Sequence, residues 1–92
     1  MNQVILVGKL AEQLQTDESG LKTIMKLEIS RDDDNSVNRE SVIIPVIIWR
    51  GLGEILQEKS QIGDLFAVRG SLKYSGSDLT VAAERVSLIK EK

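Results

Sequence analysis

Apolar and polar residues alternate along this chain in five extended stretches, broken once by helical spacing. Over residues 2–10, Val4, Leu6, Gly8 and Leu10 fall on one face and Gln3, Ile5, Val7 and Lys9 on the other. Both faces are apolar near the start, so Ile5 and Val7 are expected to meet something outside the interior, such as a second subunit. A polar turn, Thr16-Asp17-Glu18-Ser19-Gly20, follows. In residues 21–31, Met25, Leu27 and Ile29 alternate with Lys26, Glu28 and Ser30, as in a half-buried strand. Residues 32–39, rich in Asp, Asn and Ser, read as a loop.

Residues 41–49 form the third predicted strand. Val42, Ile44, Val46 and Ile48 share one face; Ile43, Pro45, Ile47 and Trp49 share the other. Four β-branched aliphatics make the better interior, which leaves the second set for a groove or a subunit contact. Pro45 has no N–H to donate, so it belongs at an edge, a bulge or a bend. Leu52, Ile55 and Leu56 predict a helix over 50–61, weakened by Gly51 and Gly53 and dependent on packing. Strands over 65–74 and 79–89 follow, joined by a tight turn at Ser75-Gly76-Ser77.

Three strands, a helix and two strands are the order of the oligonucleotide/oligosaccharide-binding (OB) barrel: an all-β, five-stranded barrel with one short helix between strands three and four. An open meander with the helix on one face has the same order. At 92 residues, 41% hydrophobic, the chain is expected to be one domain over 1–92. A chain of this size buries roughly two-thirds of the surface its unfolded form exposes, enough for one core. The longest greasy stretch, Val42 to Trp49, is too short for a membrane span, and the N-terminus has no basic, apolar leader.

The absences narrow the chemistry. There is no histidine and no cysteine. That removes the usual zinc sites, Cys–His and Ser–His–Asp catalysis, and any disulfide framework, and it suits the cytoplasm. No nucleophile or paired-carboxylate arrangement stands out, so no enzyme and no cofactor is expected. Asp32-Asp33-Asp34-Asn35 fails as a calcium loop, because Val37 stands where glycine is needed and Ile43 where glutamate is. Gly51-Leu52-Gly53 fails as a dinucleotide fingerprint, because Leu56 replaces the third glycine.

The net charge is −2, yet much of the acid sits in turns, loops or the helix and much of the base in strands. Candidate phosphate contacts are Lys9, Lys26, Arg31, Arg50, Arg69 and Lys73. Scattered surface cations alone would look the same. Trp49 is a candidate base-stacking platform, against the plain alternative of a core tryptophan. Tyr74, beside Lys73 at the hairpin tip, is a second candidate, and a partly buried tyrosine fits as well. Phe66, sharing a face with Val68, Gly70 and Leu72, reads as core.

Three blocks carry a resemblance to a known family. They are Asn2-Gln3-Val4-Ile5-Leu6-Val7-Gly8-Lys9-Leu10, Val46-Ile47-Ile48-Trp49-Arg50-Gly51-Leu52-Gly53-Glu54 and Gly63-Asp64-Leu65-Phe66-Ala67-Val68-Arg69-Gly70-Ser71-Leu72. A looser match covers residues 20–31. Together they resemble, in order, the bacterial single-stranded DNA-binding protein family. The resemblance implies an OB barrel that assembles as a homodimer or homotetramer, partly through its first strand. It also implies sequence-tolerant binding of single-stranded DNA in replication, recombination or repair, with replication proteins as partners.

Trp49 matches the family's stacking position at the end of strand three, and Lys9 a position that is often basic. The departures include Ile43 and Met25 at positions aromatic in some members, and Arg69 in place of a frequent acid, which would favour DNA if it faced the groove. The hairpin at Gly76 is short, and the sequence ends at Lys90-Glu91-Lys92 without the family's acidic-tipped tail. A short relative of the primosomal replication protein type, a phage- or plasmid-borne version, or a truncated chain fits these departures. The alternative function is a protein-interaction adaptor of the primosome type.

Overall fold

The computed structural model describes residues 1–31, 40–49 and 51–89, without the side chains of Arg31 and Glu54. Six strands and a helix follow one another as β1 (Val4–Leu10), β2 (Gln15–Thr16), β3 (Lys22–Arg31), β4 (Glu40–Trp49), α1 (Leu52–Lys59), β5 (Leu65–Ser75) and β6 (Asp78–Ile89). The five long strands are those the alternation predicts. The addition is β2, two residues that pair with Thr23 and Ile24 of β3; a run so short leaves no periodic signal.

Strand order in the sheet is β1-β5-β6-β4-β3-β2, and β1 also pairs with β3 through Lys9–Glu28 and Leu10–Leu27. That last pairing closes the barrel, which an open meander would lack. The OB barrel is the architecture found. All pairings are antiparallel except β4–β6, which run parallel and touch only at Val46–Val81 and Ile47–Ala82. Pro45 stands immediately before that short contact and pairs with Lys26 on its other side. It therefore sits where β4 has one neighbour, and its missing donor goes unneeded.

One face of each strand fills the barrel. Leu10, Met25, Leu27, Val46, Ile48, Phe66, Val68 and Val81 form the buried core, which Leu14 and Leu56 join. Val4, Leu6, Ile29 and Ile44 pack against it. Phe66 is fully buried, as its position predicts; a side chain of that size contributes about 1.5–3 kcal/mol by leaving water. Leu56 brings α1 onto the core, supplying the tertiary packing that a glycine-weakened helix needs.

The helix begins later than its spacing predicts because Gly51 takes φ 99°, a left-handed conformation that excludes helical continuation and favours glycine. Gly53 then lies so close to buried Thr23 that a side chain there would collide with it. The glycines that weaken α1 thus also let it approach β3. Its C-terminal end is closed by the Ser60 N–H, which donates to the Leu56 carbonyl at 2.8 Å. Lys59 lies in the last turn, the favourable end of the helix dipole for a cation. No helix among the described residues is long and apolar enough to cross a membrane.

Candidate nucleic-acid interface

The outer face of β3 and β4 gathers most of the chemistry. Because Val46 and Ile48 point into the core, Ile43, Pro45, Ile47 and Trp49 point outward. The register sets Lys22 opposite Trp49, Ile24 opposite Ile47 and Lys26 opposite Pro45. The β5–β6 hairpin, which turns at Gly76 and Ser77, folds over this surface. Lys73 Nζ lies 5.5 Å from the centroid of the Trp49 ring, a cation–π contact. Lys22 Nζ donates to Ser75 Oγ at 3.3 Å, tying the hairpin to the edge of β3.

Trp49 is half exposed (50%), so it is a surface ring. Ile47 is buried at 4% although it faces outward. It forms, with Ile24 and Pro45, the floor of a pocket of about 410 Å³ whose far wall is Ser75, Asp78, Leu79 and Thr80. Lys26 also borders this pocket and pairs with Glu12 at 3.3 Å. Both side chains of that pair are about half in water, where such a bond is worth at most about 1 kcal/mol. The pocket thus has an apolar floor with Lys26 at its border, and Trp49 with Lys22 and Lys73 lies beyond its lining on the same face.

Two other surfaces among the described residues lack that combination. A pocket of about 400 Å³ beside α1 is lined by Leu10, Leu14 and Ile62 with Gln13, Gln57, Ser60 and Gln61; it holds no charge and no aromatic ring. The outer face of β1, β5 and β6 holds exposed Ile5 and Val7 together with Arg69, Arg85 and Ser87. It has cations and apolar area, without an aromatic platform.

Comparison with known proteins bears on what this groove is for. The Single-strand binding protein family profile matches residues 1–88. The chain belongs to that family. Single-stranded DNA binding is the function that membership carries. Among solved structures, the small single-stranded DNA-binding protein from Streptomyces coelicolor superposes with a TM-score of 0.76. It is 18% identical, over 97% of this chain and 94% of that one. At that identity the likeness is one of fold. No curated protein sequence matches the chain.

For this member of the single-strand binding protein family, the predicted contacts divide. Trp49, Lys26 and Lys73 meet on the β3–β4 face. Tyr74 is 69% exposed but lies between Lys73 and Ser75, both turned toward β3 and β4, so alternation points it the other way. Arg69 does not face the groove. It pairs with Ile5 and Arg85 and lines a depression of about 190 Å³ with Ala67 and Ser87. Parity along β5 does not separate them, since Arg69 alternates in step with Lys73 and Ser75; the register shift between Arg69 and Gly70 does, because beyond it the strand belongs to the hairpin that reaches Trp49 and Lys22. Lys9 is also elsewhere, opposite Glu28, in a depression of about 220 Å³ with Val7, Ser30 and Leu65.

Arg31 closes β3 opposite Glu40, and its side chain is outside those described. Arg50, the loop of Asp32-Asp33-Asp34-Asn35 and the end at Lys90-Glu91-Lys92 lie outside the described residues. Sequence reasoning missed Lys22, Ser75 and Asp78 as members of the site. Lys22 opens its strand and reaches Trp49 only through the β3–β4 register, information the pattern of β3 alone does not contain.

Proposed function

We propose that the chain holds single-stranded DNA in the groove between the β3–β4 face and the β5–β6 hairpin. One base stacks on Trp49, while Lys22, Lys26 and Lys73 meet the flanking phosphates. The observation that carries this reading is the half-exposed indole with two lysines gathered beside it on a protein of net charge −2. In an acidic protein, clustered cations at one aromatic ring supply the local field that the overall charge does not. Residues 1–92 act as one binding unit, without covalent chemistry.

One platform per chain gives weak binding at each site, so function rests on linked sites in a homo-oligomer. The supporting observation is β1: it pairs with β5 along Val4–Lys9, but with β3 only at Lys9 and Leu10, leaving one edge of its first half unpaired among the described residues. Exposed Ile5 and Val7 lie there. A second copy adding strand to strand would cover both. Such an oligomer, coating single strands in the cytoplasm during replication, recombination or repair, is the cellular role in keeping with the family.

Anisotropy of a labelled thymine oligonucleotide, titrated at several salt concentrations, tests the reading. Each phosphate neutralised should steepen the dependence by about 0.7 log units of affinity per log unit of salt. An affinity that salt does not move would refute the groove.

A further inference from the structure

We infer that the pocket beside Trp49 selects guanine, with Asp78 as the residue that determines the preference. The inference rests on the groove reading above and goes on to name the base that the groove takes best. Four polar side chains border the pocket. Three are engaged within the protein: Lys26 Nζ with Glu12 at 3.3 Å, Ser75 Oγ as acceptor for Lys22 Nζ at 3.3 Å, and Thr80 Oγ1 as donor to the Lys73 carbonyl at 2.9 Å. The fourth, the Asp78 carboxylate, has no hydrogen-bond partner among the described residues. A carboxylate offers hydrogen-bond acceptors to a base edge.

A carboxylate on the wall of a groove that receives a polyanion weakens binding unless a donor on the ligand compensates. Phosphates and sugars cannot supply a suitable pair of donors; base edges can. Guanine alone presents two adjacent donors, the ring N1–H and the 2-amino group, spaced to meet both oxygens of one carboxylate. Thymine offers a single N–H between two carbonyls that repel the carboxylate. Adenine and cytosine offer an amino group beside a ring nitrogen lone pair, which does the same. The apolar floor of Ile24, Pro45 and Ile47 covers the face of a base, and about 410 Å³ is within the size of pockets that hold small ligands, roughly 300–1,000 Å³.

The test uses three oligonucleotides of equal length: all thymine, thymine with isolated guanines, and the same with inosine for guanine. Inosine keeps N1–H and lacks the 2-amino group. The guanine oligonucleotide should bind about three- to tenfold tighter than the inosine one, the scale of one net hydrogen bond. In Asp78→Ala that ratio should fall to about one, and binding of thymine should strengthen as the negative charge goes. Equal affinity for guanine and inosine, or a ratio that survives Asp78→Ala, overturns the inference while salt-dependent thymine binding leaves the groove standing. Loss of binding to all three overturns both.

Discussion

Two outer faces of this barrel carry cations beside apolar residues, and among the described residues one of them, the face proposed to take nucleic acid, combines a pocket with an aromatic ring. On the β3–β4 face, Lys22 and Lys73 lie beside a half-exposed indole, and Lys26 borders a pocket roofed by the hairpin. On the β1–β5–β6 face, Arg69 and Arg85 stand directly opposite each other over exposed Ile5, with no ion pair to either arginine among the described residues. Charge alone does not distinguish them. What does is relief: a hairpin that folds over its neighbours creates walls and a stacking end, whereas a flat sheet presents a surface better suited to another protein surface.

This contrast is open to mutation, and the effects on DNA affinity rank clearly. Trp49→Ala should cost the most, about 1–3 kcal/mol or roughly 5- to 150-fold, read by anisotropy with a labelled thymine oligonucleotide. Lys22→Ala and Lys73→Ala come next; each should weaken binding several-fold and lower the salt slope by about 0.7. A double variant should lose about twice that slope. Ile5→Asp should act indirectly, shifting sedimentation toward a smaller species and lowering affinity only as far as linked sites are lost. Arg69→Ala should change affinity least, within about twofold, the range of surface substitutions away from special features. An Arg69→Ala loss equal to that of Lys73→Ala would erase the distinction between the faces.

The legible part of the molecule was the part governed by local alternation. Val4, Leu6 and Leu10, Met25 and Leu27, and Val46 and Ile48 went inward because period-2 patterning assigns sides without knowledge of partners. Trp49 was readable as a surface ring because it shared a face with Pro45, and the β-branched set opposite made the better core. Ile47 was not readable, since its burial comes from a hairpin some thirty residues later folding over its outer side. Arg69 misled for a related reason. Its strand was identified correctly, but the register shift at Arg69/Gly70 decides which half of β5 joins the groove, and bulges leave little trace in a single sequence. Lys22 and Asp78 became visible only once strand register and hairpin folding had placed them.

Trp49 is the chain's single tryptophan, so its emission reports on the groove and on nothing else. The most direct test is to follow that emission while thymine oligonucleotide is added at low salt, then to add salt. The structure predicts strong quenching that saturates with binding and reverses as salt releases the strand. Oligonucleotide that binds while the emission stays unchanged would place the nucleic acid on another face and contradict the account.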